Sequence, residues 1–457
     1  MKTAVDTDPS PLTGEPGPGT SPALAALLAG TFVGTVSNNI VNVPLHAIIT
    51  DFDASLGSGI FVVVGFLLTF AATMPVAGWI GDRFGRRRVY CAALLGTAVC
   101  SLGAALAPSL PVLVLWRSIG GVAAAAFAPA VMGLIAWLFG PARRARAIGA
   151  WAAVNGIGQA VGPSMGGVVS DWWGWRWAFV PLVPIALIGF AATMRYIPRY
   201  PGKKMHLDVM GAGTVTLGAA LLILGITMIS QAQVPAAASA ALVAGGLATL
   251  VLFVVHSFRV DDPFVPIRLV LESRFLRSAL AAFTQMFVLG ALLLALPLYL
   301  TGTGSSTTQA GLMLFVLPVV MTCVAPVVGR IVDRIGGRVV MRTGLITLIA
   351  SQVALAITLS AGVRNPLAIG AVLLGAGVGI GMVQTPAAAG STRSPAGAVG
   401  TGLGLFNLVR FGGSAVGAAW VGVAAHISAE PYLLLFVVAA VVALAGLAGT
   451  FIGEDPV

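Results

Sequence analysis

The sequence predicts an all-α integral membrane protein with about fourteen transmembrane helices. Three observations carry that reading. Of 457 residues, 58% are hydrophobic and only 9% are charged, whereas a soluble domain is about a quarter charged. Mean hydropathy is +0.98, so lipid must be the solvent for most of the surface. The apolar residues also gather into runs near the ~20 residues that a helix needs to cross a bilayer. Gly and Pro embedded in runs of that length fit helices better than barrel strands, which alternate over about ten residues.

The chain opens on a tail of Pro, Gly, Ser and Thr with Asp6, Asp8 and Glu15. That composition favours disorder, and without a basic start and apolar core no cleaved signal peptide is expected here. Residues 1–22 are therefore expected to form a disordered cytoplasmic tail. Six spans follow, near 24–49, 58–80, 88–107, 111–139, 146–169 and 176–195. Two more are expected near 209–230 and 236–257, then six near 278–300, 308–330, 340–360, 366–388, 398–425 and 432–452. The implied division is an N-terminal six-helix half at 23–200, an inserted helix pair and loop at 201–274, and a C-terminal six-helix half at 275–457. This is the sequence trace of two structurally similar halves with an inserted helix pair.

The net charge of +10 raises the rival of nucleic-acid binding. Its placement argues otherwise. Arg83, Arg86, Arg87, Arg88, Arg143, Arg144, Arg146, Arg195, Arg199, Lys203 and Lys204 fall in loops on one side, and so do Arg259, Arg268, Arg274, Arg277, Arg330, Arg334, Arg338, Arg342 and Arg393. Only Arg176 and Arg364 lie near the loops of the other. The positive-inside rule then puts both termini in the cytoplasm, as an even helix count also requires. Cys91, Cys100 and Cys323 lie within apolar runs without ligand spacing, so neither a disulfide framework nor a metal is expected.

A knot of charge, Gly78-Trp79-Ile80-Gly81-Asp82-Arg83-Phe84-Gly85-Arg86-Arg87-Arg88, follows the second span. A weaker copy, Gly329-Arg330-Ile331-Val332-Asp333-Arg334-Ile335-Gly336-Gly337-Arg338, follows the matching span of the second half. Orientation alone needs no fixed glycines. Gly78 allows a close helix approach, and Gly85 allows a tight turn. Asp82 is a carboxylate suited to a helix N-terminus. Gly78, Asp82, Arg83, Gly85, Arg86, Asp333 and Arg334 are read as conformational rather than substrate-binding. The fifth span carries Gly158, Gly162, Gly166 and Gly167 on a small-residue face, with Pro163 interrupting its hydrogen bonds. Such a span is either a static packing ridge or a bendable helix along which two halves part.

These motifs resemble those of the major facilitator superfamily. Gly78–Arg88 resembles its loop signature, Gly158–Gly167 is similar to its antiporter motif, and Arg117-Ser118-Ile119-Gly120-Gly121 resembles a third motif with an intramembrane Arg. Trp175-Arg176-Trp177-Ala178-Phe179, Asn42-Val43 and Asp262-Pro263-Phe264-Val265 are similar to sequences in the fourteen-helix drug:proton antiporter branch, which includes tetracycline and multidrug exporters. The resemblance implies two six-helix halves plus an inserted pair, and it implies that Asp82 latches against a helix of the opposite half.

The interior polar residues are the candidates for substrate or coupling. Thr31, Thr35, Asn38, Asn42 and His46 are spaced at three and four along the first span, which puts them on one face. Such a face turns to a bundle interior or a wet cavity, either for interhelical hydrogen bonds or for substrate. Asn38 lies ~21 Å along its span, Gln159 ~20 Å along another, and Arg117 ~10 Å from the opposite boundary, so the three share a depth. Arg410 is similarly deep. Asn38, Asn39, Asn42, Arg117, Gln159 and Arg410 are therefore the predicted substrate or coupling residues. Every carboxylate falls in the tail, a loop or a span end. The resembled branch commonly places acids where this chain has Ser37-Asn38 and Gln159, and amides do not exchange protons.

The expected function is a secondary exporter of small amphiphilic molecules working by alternating access in the plasma (inner) membrane. The chain has no P-loop pattern, so a gradient must drive it. No enzyme activity, metal or cofactor is expected, and coupling to a proton gradient stays open. The expected partners are a small-molecule substrate and the bilayer, with no nucleic acid and a monomeric state. Export of a neutral or anionic metabolite or lipid with weak or no proton coupling is the alternative. A non-transporting membrane receptor is the second, which leaves the bending motifs unexplained.

Overall fold

The computed structural model describes residues 20–139, 141–199, 202, 206–231, 233–394 and 400–453. Residues 1–19 of the expected tail lie outside the described residues, as does the side chain of Asp333. Among the described residues the regular structure is all helical, joined by turns and short loops. Twelve of its helical segments are long and apolar enough to cross a membrane, so this is a multi-pass membrane protein.

The first eight helices are α1 (Thr20–Asn39), α2 (Leu45–Asp51), α3 (Leu56–Phe84), α4 (Arg86–Ala105), α5 (Leu110–Ala124), α6 (Phe127–Leu138), α7 (Pro141–Trp173) and α8 (Leu182–Tyr196), with a 3-10 turn at Trp175–Phe179 before α8. Two expected spans are broken. The run at 24–49 stops at Asn39 and resumes at Leu45, because Pro44 biases the residue before it away from helix. The run at 111–139 turns at Ala125-Ala126, and Pro129 falls in the first turn of α6, where its missing N–H costs little. Helices α1 and α7 stand where spans were expected but are not among the twelve.

Next come α9 (Val209–Met228), α10 (Ala236–Arg259) and the short α11 (Ile267–Val270). The last set is α12 (Ser273–Gly302), α13 (Thr307–Ile335), α14 (Gly337–Ser360), α15 (Pro366–Arg393), α16 (Gly400–Ile427) and α17 (Pro431–Gly449). The N-terminal set α1–α8 meets the C-terminal set α12–α17 along two seams, α3 on α16 and α7 on α13. The pair α9–α10 lies outside, with α9 touching both α3 and α16. Ala71 and Ala72 of α3, Val215 of α9 and Leu405 and Leu408 of α16 share one buried apolar cluster there.

Polar caps fix the helix ends. Asp208 caps α9 by accepting from Gly211 N at 2.8 Å, and its other oxygen accepts from Phe264 N at 3.0 Å. His256 Nε2 donates to it from α10 at 2.8 Å. One carboxylate thus ties α9, α10 and the loop after them. Glu272 caps α12 through Arg274 N and Phe275 N, both at 3.0 Å. Ser306 and Gln309 form a reciprocal capping box on α13, which satisfies backbone donors that the helix cannot. At the end of α17, Arg277 donates to Ile452 O at 2.8 Å and Arg342 to Thr450 O at 3.3 Å. Arg338 binds the Ile452 and Gly453 carbonyls. Cations suit the negative end of a helix, so some of the loop charge also has local structural work.

Candidate functional site

The two charged hinges are built alike. Gly85 (φ 96°) joins α3 to α4 and Gly336 (φ 85°) joins α13 to α14, a conformation that glycine adopts without a Cβ penalty. Among the described residues Asp82 pairs within its own set: Arg86 Nε donates to Asp82 Oδ1 at 2.7 Å. The Arg86 guanidinium lies on Gly133 of α6, where any Cβ would collide with it. The expected contact of Asp82 with a helix of the opposite set is not seen among the described residues. Arg86, four residues on across the Gly85 turn, reaches the carboxylate first, and residues 395–399 ahead of α16 lie outside the described residues. Arg83 and Arg334 are exposed. A Cβ on Gly78 would meet only Pro129, at an ordinary 3.8 Å, so close packing does not require glycine there.

The glycines of α7 are required by contrast. A Cβ at Gly158 would come 2.8 Å from Thr35 Cβ, and one at Gly162 would come 3.0 Å from Asn39 Cβ. At Gly166 it would collide with the Ile40 carbonyl, and at Gly167 it would lie 2.5 Å from Thr307 O of α13. One helix therefore packs backbone-close to α1 and also touches the other set. Beside Pro163, Ser164 donates to Ala160 O at 3.1 Å and to Gly311 O of α13 at 3.2 Å.

The far end of this seam holds a contact that sequence reasoning passed over. Asp171 in the last turn of α7 accepts from Thr308 N at 2.7 Å and Thr308 Oγ1 at 2.5 Å, and the Thr307 hydroxyl also donates to it. A carboxylate of one set thus caps a helix of the other. In the sequence Asp171 is one more acid at a span end, since nothing local to it marks a partner 137 residues away.

The polar line expected on one helical face is broken where α1 ends at Asn39, so Asn42 lies in the turn that follows and His46 on α2. Thr35 donates to Asn155 Oδ1 of α7 at 3.0 Å, and Asn39 Nδ2 returns to Thr35 O at 2.9 Å. These residues serve packing. Asn38 and Asn42 each keep a buried Oδ1 without a partner, and His46 is exposed. Gln159 and Arg410 are half-buried, with the Arg410 guanidinium 5.0 Å over Phe411.

Arg117 is 3% exposed. It turns inside the N-terminal set, donating to Ser37 O at 2.6 Å and Val62 O at 3.2 Å. Its neighbours therefore include Ser37, next to Asn38. The structure brings Arg117 to α1, and it brings Asn39 to the Gly162 level of α7. Among the described residues no contact joins Arg117 to Gln159 or Arg410.

The sequence profile of the Major Facilitator Superfamily matches residues 27–418. The chain belongs to that superfamily. Its members are transporters rather than enzymes. Among curated relatives, an uncharacterized MFS-type transporter of Mycobacterium tuberculosis is 31% identical over 57% of this chain and 46% of its own length. The "Putative multidrug resistance protein MdtD" of Salmonella typhi is 30% identical over 64% of this chain and 62% of its own length. The chain thus spans roughly half to three fifths of these relatives. Two solved structures share the superfamily fold at 14% identity. The xylose transporter XylE from E. coli, partially occluded and inward open, has a TM-score of 0.67 over 95% of this chain and 99% of its own. The peptide transporter POT in complex with sulfate has a TM-score of 0.70, covering 93% and 94%.

Proposed function

We propose that the protein is a secondary transporter that exports small amphiphilic molecules by alternating access. The observation that carries this reading is the α7–α13 seam. There a continuous helix that carries Pro163 within it, and so lacks one backbone donor, is backbone-close to its own set and is fastened to the other set at one end by Asp171. Such a seam can part without unfolding either side. The multidrug-resistance name of one relative supports amphiphilic substrates.

In this proposal α1 and α7 complete fourteen spans. The 20 residues of α1 reach ~30 Å, the thickness of a bilayer core. The units are 23–200 and 275–457, with 201–274 inserted, and both termini lie on the cytoplasmic side of the inner membrane. Asn38, Asn42, Gln159 and Arg410 contact substrate, and Arg117 supports the wall behind them. The two hinges, including Asp333 and Arg334, govern the conformational balance.

A second reading has its own support. Among the described residues every carboxylate lies at a helix end or in a turn, which favours a neutral or anionic cargo with weak proton coupling over cation exchange. Uptake into proteoliposomes, with and without an imposed pH gradient, separates the two. Gradient-driven exchange of cations with Asn38 and Gln159 intact supports proton coupling and rejects the second reading. Gradient-independent movement of neutral or anionic cargo does the reverse. Failure to move any class would leave the receptor reading.

A further inference from the structure

Arg117 carries a permanent charge into the interior of the N-terminal set, where its partners are all uncharged. Nη1 and Nε donate to two backbone carbonyls, and the guanidinium lies 4.3 Å over the Phe66 ring. Among the described residues no carboxylate pairs with it. Nη2 is buried and has no hydrogen-bond partner. A buried charge without a counter-charge is among the costliest arrangements in a protein.

Arg117 also lines a small cavity bordered by α1, α3, α4, α5 and the 3-10 turn. Ser37, Thr97, Cys100, Ser101 and Phe179 line it as well. Thr97 Oγ1 is likewise buried without a partner. The space open to a water-sized guest is about 10 Å³, which suits a single small particle. It is too small for a phosphate, a sulfate or an amphiphilic cargo.

We propose that this cavity is a binding site for one monatomic anion, chloride being the abundant candidate. The anion accepts from Arg117 Nη2 and the Thr97 hydroxyl, with the Ser37 and Ser101 hydroxyls at the same wall. It thereby supplies the negative charge that neither Ser37 nor Asn38 provides. A water molecule would occupy the two orphan donors but leave the charge uncompensated. The site is separate from cargo binding, so its test does not depend on transport.

The test is a thermal melt of the purified full chain in detergent, titrated with chloride or bromide against gluconate and sulfate at constant ionic strength. The melting temperature should rise and saturate with the two halides only. Thr97→Val keeps the shape and removes one donor, so the half-saturating chloride concentration should rise about tenfold. A bromide-soaked crystal of the unaltered protein should show anomalous density beside Arg117, which tests the site even if the variant folds poorly. Equal responses to halide and gluconate, an unchanged titration in Thr97→Val, or absence of bromide density would overturn the proposal and assign the cavity to water.

Discussion

Phe70 of α3 meets Phe411 of α16 edge to face, with ring centroids 4.9 Å apart and planes at 79°. The pair is the centre of a longer column. Phe66 stacks on Phe70 at 5.8 Å, Arg117 lies over Phe66 at 4.3 Å, and Arg410 lies over Phe411 at 5.0 Å. The two deep arginines, one from each helix set, therefore lean on a single aromatic column that crosses the α3–α16 seam. Ring faces attract cations, and ring edges attract faces.

That column predicts energetic coupling across the seam. In a double-mutant cycle with Phe70→Leu and Phe411→Leu, the pair should show a coupling of about 0.5–1.5 kcal/mol beyond the single effects. Equilibrium unfolding in mixed micelles would measure it. Strict additivity would mean that the two rings merely share a neighbourhood.

Asp171 predicts a shift in conformation. Asp171→Asn keeps the shape but weakens the charge-assisted cap on α13, at a cost of about 0.5–2 kcal/mol. The far ends of α7 and α13 should then separate more often. Spin labels at Trp173 and Ser305 would report this as a longer-distance population. An unchanged distribution would reduce Asp171 to a passive helix cap.

Asp208 predicts an acid-sensitive join between α9 and α10. Burial alone would raise its pKa, but hydrogen bonds from Gly211 N, Phe264 N and His256 outweigh that and hold it below the ordinary carboxylate value. The folded form therefore binds its proton less readily than the unfolded chain. The stabilisation is complete above the unfolded value near 3.8 and is lost as pH falls through the lower folded value. Asp208→Asn should be less stable than the native chain at pH 7 by about 1–3 kcal/mol, with the gap closing in acid. Melts from neutral pH downward would show the convergence, and a constant gap would remove the carboxylate from the explanation.

Much of this was legible because membrane helices announce themselves by length and composition. The positive-φ turns at Gly85 and Gly336 could be read from a repeated motif, since few residues other than glycine tolerate that backbone. The small face of α7 was legible for the same reason: Gly166 faces Ile40, and Gly167 faces Thr307. Partners were not legible. Periodicity placed Thr35, Asn38 and Asn42 on an inward surface, but it could not say that Thr35 is taken up by Asn155 while Asn38 keeps a bare amide oxygen. Shared depth suggested one site for Arg117 and Gln159, but depth fixes only one coordinate of three. The Phe66–Phe70 pair left a faint signal in its i, i+4 spacing, and Phe411 left none beyond standing next to Arg410.

Glycines that share a motif-like setting should differ in what they tolerate. Gly166→Ala drives a methyl into the Ile40 carbonyl and Gly167→Ala brings one to 2.5 Å from Thr307 O. Backbone cannot yield cheaply, so each should cost about 1–3 kcal/mol. Gly167→Ala should also loosen the α7–α13 seam, because Thr307 belongs to the other set. Gly78→Ala faces Pro129 at 3.8 Å and lies within a helix, where replacing glycine gains about 0.5–1 kcal/mol. Melting temperatures of the three variants in one detergent should therefore fall for Gly166→Ala and Gly167→Ala and rise for Gly78→Ala. A fall at Gly78 equal to the other two would mean that α6 comes closer to α3 in another conformation of the transport cycle.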